Sequence, residues 1–160
     1  MAPRAFANVS ALREITLSDG LLRIGDSAFY KVSLSSIQFP DSLTYIGRYA
    51  FDRVPFTGKV TIPAGVTEIG DYAFVGCSGV KEWEIVPDRV KLGHCAIGYR
   101  FGGYYMDDMF RIYSEKKTRL TAGKKSTAYA YAKKNGLKCY GRTGKKLLDY
   151  KKVRHFVFDE

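Results

Sequence analysis

His94 and Cys95 stand side by side, the pairing in which an imidazole draws a proton from a thiol and arms it as a nucleophile. Cys77 and Cys139 complete an odd set of three cysteines, with no C-x-x-C pair and no Cys/His spacing suited to zinc. Buried free thiols describe them better than a disulfide framework. Asp107 and Asp108 can hold a cation, or they can simply open a turn ahead of Phe110. His155 has no acidic or cysteine partner at an informative spacing. The neighbouring text decides how far this chemistry goes. Gly70, Asp71, Tyr72 and Ala73 align with Gly93, His94, Cys95 and Ala96, so His94 fills a variable position of a recurring pattern. An active site needs its motif once. The chain is therefore read as not an enzyme, with no catalytic residue, no cofactor and no metal assigned.

The pattern recurs along most of the chain. Ile24, Ile46, Ile69 and Leu92 are each followed by glycine, at Gly25, Gly47, Gly70 and Gly93. An alanine row runs through Ala5, Ala28, Ala50, Ala73 and Ala96, and beside it stand Phe6, Phe29, Phe51, Phe74 and Ile97. The alanine intervals are 23, 22, 23 and 23 residues, a fixed period of the kind that marks stacked arrays. Between these rows lie apolar sets: Leu12, Ile15 and Leu17; Leu34, Ile37 and Phe39; Thr57, Val60 and Ile62; Val80, Trp83 and Ile85. The last two members of each set are two apart and share one face of a short strand. Pro40 and Pro63 follow two of the strands, where a missing N–H ends a ladder cheaply. Each glycine is expected to turn the chain with positive φ, Ala and Phe to sit in a tight helical turn, and the small Ala to let coils stack. One coil cannot bury its apolar side alone; stacked coils bury each other's.

Residues Val60 to Cys77, "VTIPAGVTEIGDYAFVGC", with the copies over residues 5 to 97, resemble the BspA-like leucine-rich repeat. The resemblance implies a right-handed repeat solenoid of α/β type with mostly short parallel strands and helical turns. It has about five coils of 22–23 residues plus a C-terminal helix–strand cap. It also implies adhesive or protein-binding functions at a cell surface. The cap resemblance rests on "KKSTAYAYAKKNGLK", in which Ser126 can cap a helix near 126–135, Lys133 and Lys134 suit its last turn, and Gly136 can end it. Leu137 to Tyr140 would be a closing strand. The expected division is a solenoid over 1–112, a cap over 113–141, and a basic tail over 142–160 that can dock as a strand through Phe156 to Phe158. The next strand set after Ile97 is expected at Phe110 and Ile112, with "SEKKTRLTAG" as an insertion.

Outward strand positions form two rows, Glu14, Ser36, Lys59 and Glu82, then Thr16, Gln38, Thr61 and Glu84. Such a polar lattice is either where leucine-rich repeat proteins contact partners or a merely solvated sheet face, with Lys59 and Glu82 as a weak cross-strand pair. The rows carry no aromatic, the residue type that dominates binding hot spots. A second candidate is the aromatic stretch holding Tyr99, Phe101, Tyr104 and Tyr105, read mainly as cover for the last coil.

Net charge is +10, with all the excess at one end. Residues 1–109 hold 11 Lys/Arg against 12 Asp/Glu, and residues 110–160 hold 15 against 4. Lys116, Lys117, Lys124, Lys125, Lys145, Lys146, Lys151 and Lys152 form a basic candidate for cell-wall polymer, acidic glycan or nucleic acid. Two functions are therefore weighed. The first is a protein-recognition or adhesion module of a bacterial surface or secreted protein, with a host or matrix protein as partner. The alternative is a polyanion-binding protein. No apolar run reaches the roughly 18 residues of a membrane span. The chain as given shows no signal peptide, so surface or secreted localisation comes from the resemblance and a cytoplasmic one stays open. Ala5 and Phe6 already occupy repeat positions, which leaves an uncapped N-terminal edge as a route to oligomers.

Overall fold

The steps Ile24-Gly25, Ile46-Gly47, Ile69-Gly70 and Leu92-Gly93 each close a two-residue strand. These are β1 (Arg23–Ile24), β2 (Tyr45–Ile46), β4 (Glu68–Ile69) and β6 (Lys91–Leu92), a parallel sheet in that order. The computed structural model describes the backbone of residues 1–105, 109–114, 116–149, 151 and 154–158, and the side chains of residues 1–102, 114, 116–149 and 151. The glycines that follow these strands do not have positive φ, contrary to expectation. They are needed for close approach. A Cβ on Gly47 would lie 2.6 Å from the Asp26 nitrogen, one on Gly70 2.6 Å from the Arg48 nitrogen, and one on Gly93 2.5 Å from the Asp71 nitrogen. Only a residue without a side chain lets consecutive coils touch there. The left-handed residues come two positions later, at Ser27, Tyr49, Tyr72 and Cys95, with φ of 53°, 53°, 56° and 47°.

The Ala-Phe segments are realised as chains of tight turns with a regular alternation of hydrogen bonds. Ala28, Tyr30 and Val32 donate three residues back within their own coil, to Gly25, Ser27 and Phe29. Ser27, Phe29 and Lys31 donate across to Arg48, Ala50 and Asp52 in the next coil. Every second amide thus ties one coil to the next, and no helix forms. Phe6, Phe29, Phe51 and Phe74 stack face to face inside, with centroids 5.3, 5.0 and 5.0 Å apart and planes within 9°. Offset aromatic pairs contribute about 0.5–1.5 kcal/mol each beyond area burial. Trp83 closes the column, 4.9 Å from Phe74.

A second sheet has the order β11-β10-β9-β5-β3: β3 (Gly58–Ile62), β5 (Val80–Ile85), β9 (Arg119–Thr121), β10 (Lys138–Tyr140) and β11 (Lys146–Leu148). Its strands are parallel except the last pair. Two expectations fail here. The apolar sets at Leu12–Leu17 and Leu34–Phe39 are not paired into the ladder; one backbone bond, Thr57 N–H to the Ser35 carbonyl, links the second of them to the coil above. The strand after β5 is not at Phe110 and Ile112 but at Arg119–Thr121, with Leu120 opposite Trp83. β7 (Tyr99–Tyr105) and β8 (Met109–Ser114) instead make an antiparallel sheet with β12 (Arg154–Phe158). The inserted segment is the hairpin. "TRLT" carries the strand because Leu120 can enter the core between two polar neighbours, and Leu120 is fully buried.

Helix α1 (Thr127–Lys134) lies over the last coil. The Ser126 hydroxyl accepts from the Tyr129 N–H, Asn135 is the C-cap, and Gly136 follows with φ 66°. Tyr131 anchors the helix: its hydroxyl donates to the Ile97 carbonyl and accepts from the Ile97 N–H, both at 3.1 Å. The tail is partly built into the sheets through β11 and β12.

Candidate binding face

The outward side chains of β3, β5, β9 and β10 stand in register across four strands. One row reads Lys59, Glu82, Arg119, Lys138, and the next reads Thr61, Glu84, Thr121, Tyr140. Each carboxylate is held by one direct and one diagonal neighbour. Lys59 Nζ meets Glu84 Oε2 at 2.9 Å, where the Thr61 hydroxyl also donates at 3.0 Å. Arg119 meets Glu82 Oε2 at 2.6 Å, and the Thr121 hydroxyl donates to Glu82 Oε1 at 2.9 Å. The expected Lys59–Glu82 pair is thus replaced by Lys59–Glu84, because the unforeseen Arg119 takes Glu82. Burial pushes the Glu82 carboxyl up, but the bonds from Arg119 and Thr121 and the Arg119 charge outweigh it and hold the group below the usual range. The Lys59 hydrogen bond, against a smaller opposing effect of burial, does the same for Glu84.

Glu14, Thr16, Ser36 and Gln38 are exposed but lie on the two unpaired segments, which border a groove of about 410 Å³. Only half of each expected row therefore belongs to the hydrogen-bonded face. At the other end the face gains Arg119, Thr121, Lys138 and Tyr140, which sequence reasoning did not assign to it. The alternation polar-apolar-polar in "RLT" and "KCY" was the available signal. The face thus includes an aromatic: Tyr140 is half-buried, with the Arg119 guanidinium 5.2 Å from its ring centre. At the N-terminal ends of β5, β9 and β10 the surface sinks into a cleft of about 650 Å³. Among the described residues, Lys81, Lys117, Arg119 and Lys138 line it against one carboxylate, Glu82.

In the aromatic stretch, Tyr99 is buried and donates to Asn135 Oδ1 at 2.7 Å, while Asn135 Nδ2 donates to the Tyr131 carbonyl at 2.8 Å. Phe101 packs over Gly76 and beneath the Arg53 guanidinium, 4.4 Å away. Both cover the last coils. The backbone of Tyr104 and Tyr105 pairs with β8, and their side chains lie outside the described residues, as do Asp107, Asp108 and Lys152.

The basic candidates are spread over several surfaces. Lys117 joins the cleft and Lys116 precedes it in the chain. Lys124 and Lys125 sit in the turn ahead of α1. Lys145 is in the turn between β10 and β11, and Lys146 is paired with Asp149 at 2.9 Å. Lys151 is exposed, and its backbone N–H donates to the Gly136 carbonyl. The three cysteines are buried and free. Burial pushes Cys95 up to about 12 and Cys139 up to about 11, and it raises Cys77 as well. Cys95 is held as a thiol, not the thiolate that a nucleophile requires. The neighbouring His94 N–H donates to Asp71 Oδ1 at 2.7 Å, and its ring stands edge-on to Tyr72. Among the described residues no three His, Cys, Asp or Glu side chains converge to hold a metal.

The family description "BspA type Leucine rich repeat region (6 copies)" matches residues 1–98, more than half of the 160. Comparison with curated proteins and with solved structures finds no match. Repeats of this type suggest a protein-interaction module, are typically non-catalytic and are often surface-associated. Among the described residues no helix is long and apolar enough to cross a membrane. The repeat period, the stacked solenoid of about five turns and the matched residues together show that the chain belongs to the BspA-type leucine-rich repeat family.

Proposed function

We propose that the chain is a non-catalytic recognition module of a surface-attached or secreted bacterial protein, and that it holds a host or matrix protein against the strand face. The observation that supports this reading is the continuous row of outward polar side chains across β3, β5, β9 and β10, which runs from solenoid into cap. A flat, mixed-charge lattice with Tyr140 at one end offers a polypeptide both hydrogen-bonding groups and an anchor. The dispersal of the basic residues over several surfaces favours this reading over polymer binding.

The test is a solid-phase assay against a panel of matrix proteins. A partner held by the face should remain bound at about 0.5 M salt, where exposed charges are screened within a few Å. It should be lost in the variant K59E/E84K, which reverses one ion pair while keeping net charge. Binding that collapses at that salt and is removed by K145Q/K146Q/K151Q would overturn the proposal in favour of a polyanion.

A further inference from the structure

The strand face changes character along its length. Around β3 and β5 the charges are balanced, whereas at the junction with the cap the cleft gathers Lys81, Lys117, Arg119 and Lys138 around Glu82, the one carboxylate among the described residues that line it. Lys81, Lys117 and Arg119 are exposed and Lys138 is half-buried, with Arg119 already paired to Glu82. Thr118 forms part of the same lining. It is 1% exposed, and its Oγ1 has no hydrogen-bond partner among the described residues. Tyr140, under Arg119, supplies an apolar wall.

We propose that this cleft seats an acidic segment of the partner polypeptide, whose carboxylates meet Lys81, Lys117 and Lys138 while Tyr140 packs against the intervening chain. The proposal rests on the reading of the strand face as the recognition surface. A cleft of about 650 Å³ lies within the ordinary range of ligand sites, roughly 300–1,000 Å³, which suits a few side chains better than a tracked polymer. The charges beyond it point the same way. A uniform polyanion would have to pass Glu82 in the cleft lining and Glu84 two residues further along β5, whereas a polypeptide can place neutral or basic residues opposite them.

The experiment uses the full chain and a fluorescein-labelled peptide in which Glu alternates with Ser, read by fluorescence anisotropy at physiological salt. K81E/K117E should weaken binding about tenfold. K133E/K134E, the same change of net charge on exposed positions of α1, should leave it within about twofold. If K81E/K117E fails to fold by circular dichroism, K81Q/K117Q should still show about a threefold loss. No binding of the peptide, or equal loss in both double reversals, overturns the proposal. So does heparin binding more tightly than the peptide through the same two lysines, which would assign the cleft to a polymer. A matrix protein from the panel that is lost in K59E/E84K but unaffected by K81E/K117E would overturn the cleft assignment while leaving the strand-face reading standing.

Discussion

One methyl group separates a stacking glycine from a misplaced one. Gly47 has backbone atoms of the preceding coil within 2.7 Å of where its Cβ would sit, and Gly20 has nothing within 4 Å. Backbone cannot swing aside as a side-chain tip can, so Gly47→Ala must pry two coils apart. It is expected to cost about 1–3 kcal/mol, the usual range for overpacking. Gly20→Ala is expected to change stability by less than about 0.5 kcal/mol. Urea unfolding of the two variants checks both values, and equal effects would show that contact between coils is not what the glycine permits. The requirement for glycine after each Ile was plain in the sequence, but its reason was not. Positive φ and close approach both select glycine, and only the stacked backbone distinguishes them. The structure puts the left-handed conformation two residues later, on Ser27, Tyr49, Tyr72 and Cys95, none of which advertises it.

At the scale of elements, the ladder is uneven. β3 and β5 are paired along their length, whereas Arg13–Leu17 and Ser36–Phe39 carry the same apolar spacing with no ladder bonds between them. Amides in those two segments are therefore expected to exchange with solvent faster than amides in β3 and β5. Native-state hydrogen exchange measured by NMR would test this, and equal protection would contradict the unpaired geometry. The insertion shows why element placement was harder to read than the repeat. Residues 99–114 and 119–121 both hold apolar residues at strand spacing, so local text could assign either to the next coil. Leu120 wins because it lies opposite Trp83 and buries completely. That choice also brings Arg119 and Tyr140 to the proposed binding face, and it explains why half of the candidate surface was missing from the sequence-based rows.

For the whole molecule, stability should depend on pH at both ends of the range. Glu82 and Glu84 titrate below their ordinary value of 4.5 in the folded state. Their contribution is present above 4.5 and is lost as pH falls through the lower folded values. Cys95 and Cys139 titrate above their ordinary 9.0, and Tyr72 at about 12 against 10.0, chiefly through burial. For these groups the unfolded chain ionises first, so stability is full below 9.0 and declines as pH rises from there. Thermal melts should show a plateau between about pH 5 and 9 with a fall on either side. The variant E84Q should flatten the acid limb, and an unchanged acid limb would exclude the Lys59–Glu84 pair as a contributor.

The period, the interior column of Phe6, Phe29, Phe51 and Phe74, the polar character of the outward rows and the helix that closes the last coil are all legible in the residues alone. Each of these is a matter of spacing along one chain, and spacing is what a sequence records. The tertiary structure decided which strand follows β5, which cation pairs with Glu82, why glycine is required, and that Lys81, Lys117, Arg119 and Lys138 share one cleft. Those outcomes depend on which coil lies against which, over separations of 23 and 37 residues between Val60, Trp83 and Leu120. Stacking fixes such neighbours only after an inserted hairpin has been looped out, because burial of Leu120 against Trp83 is a property of the packed coils and not of the text around either residue.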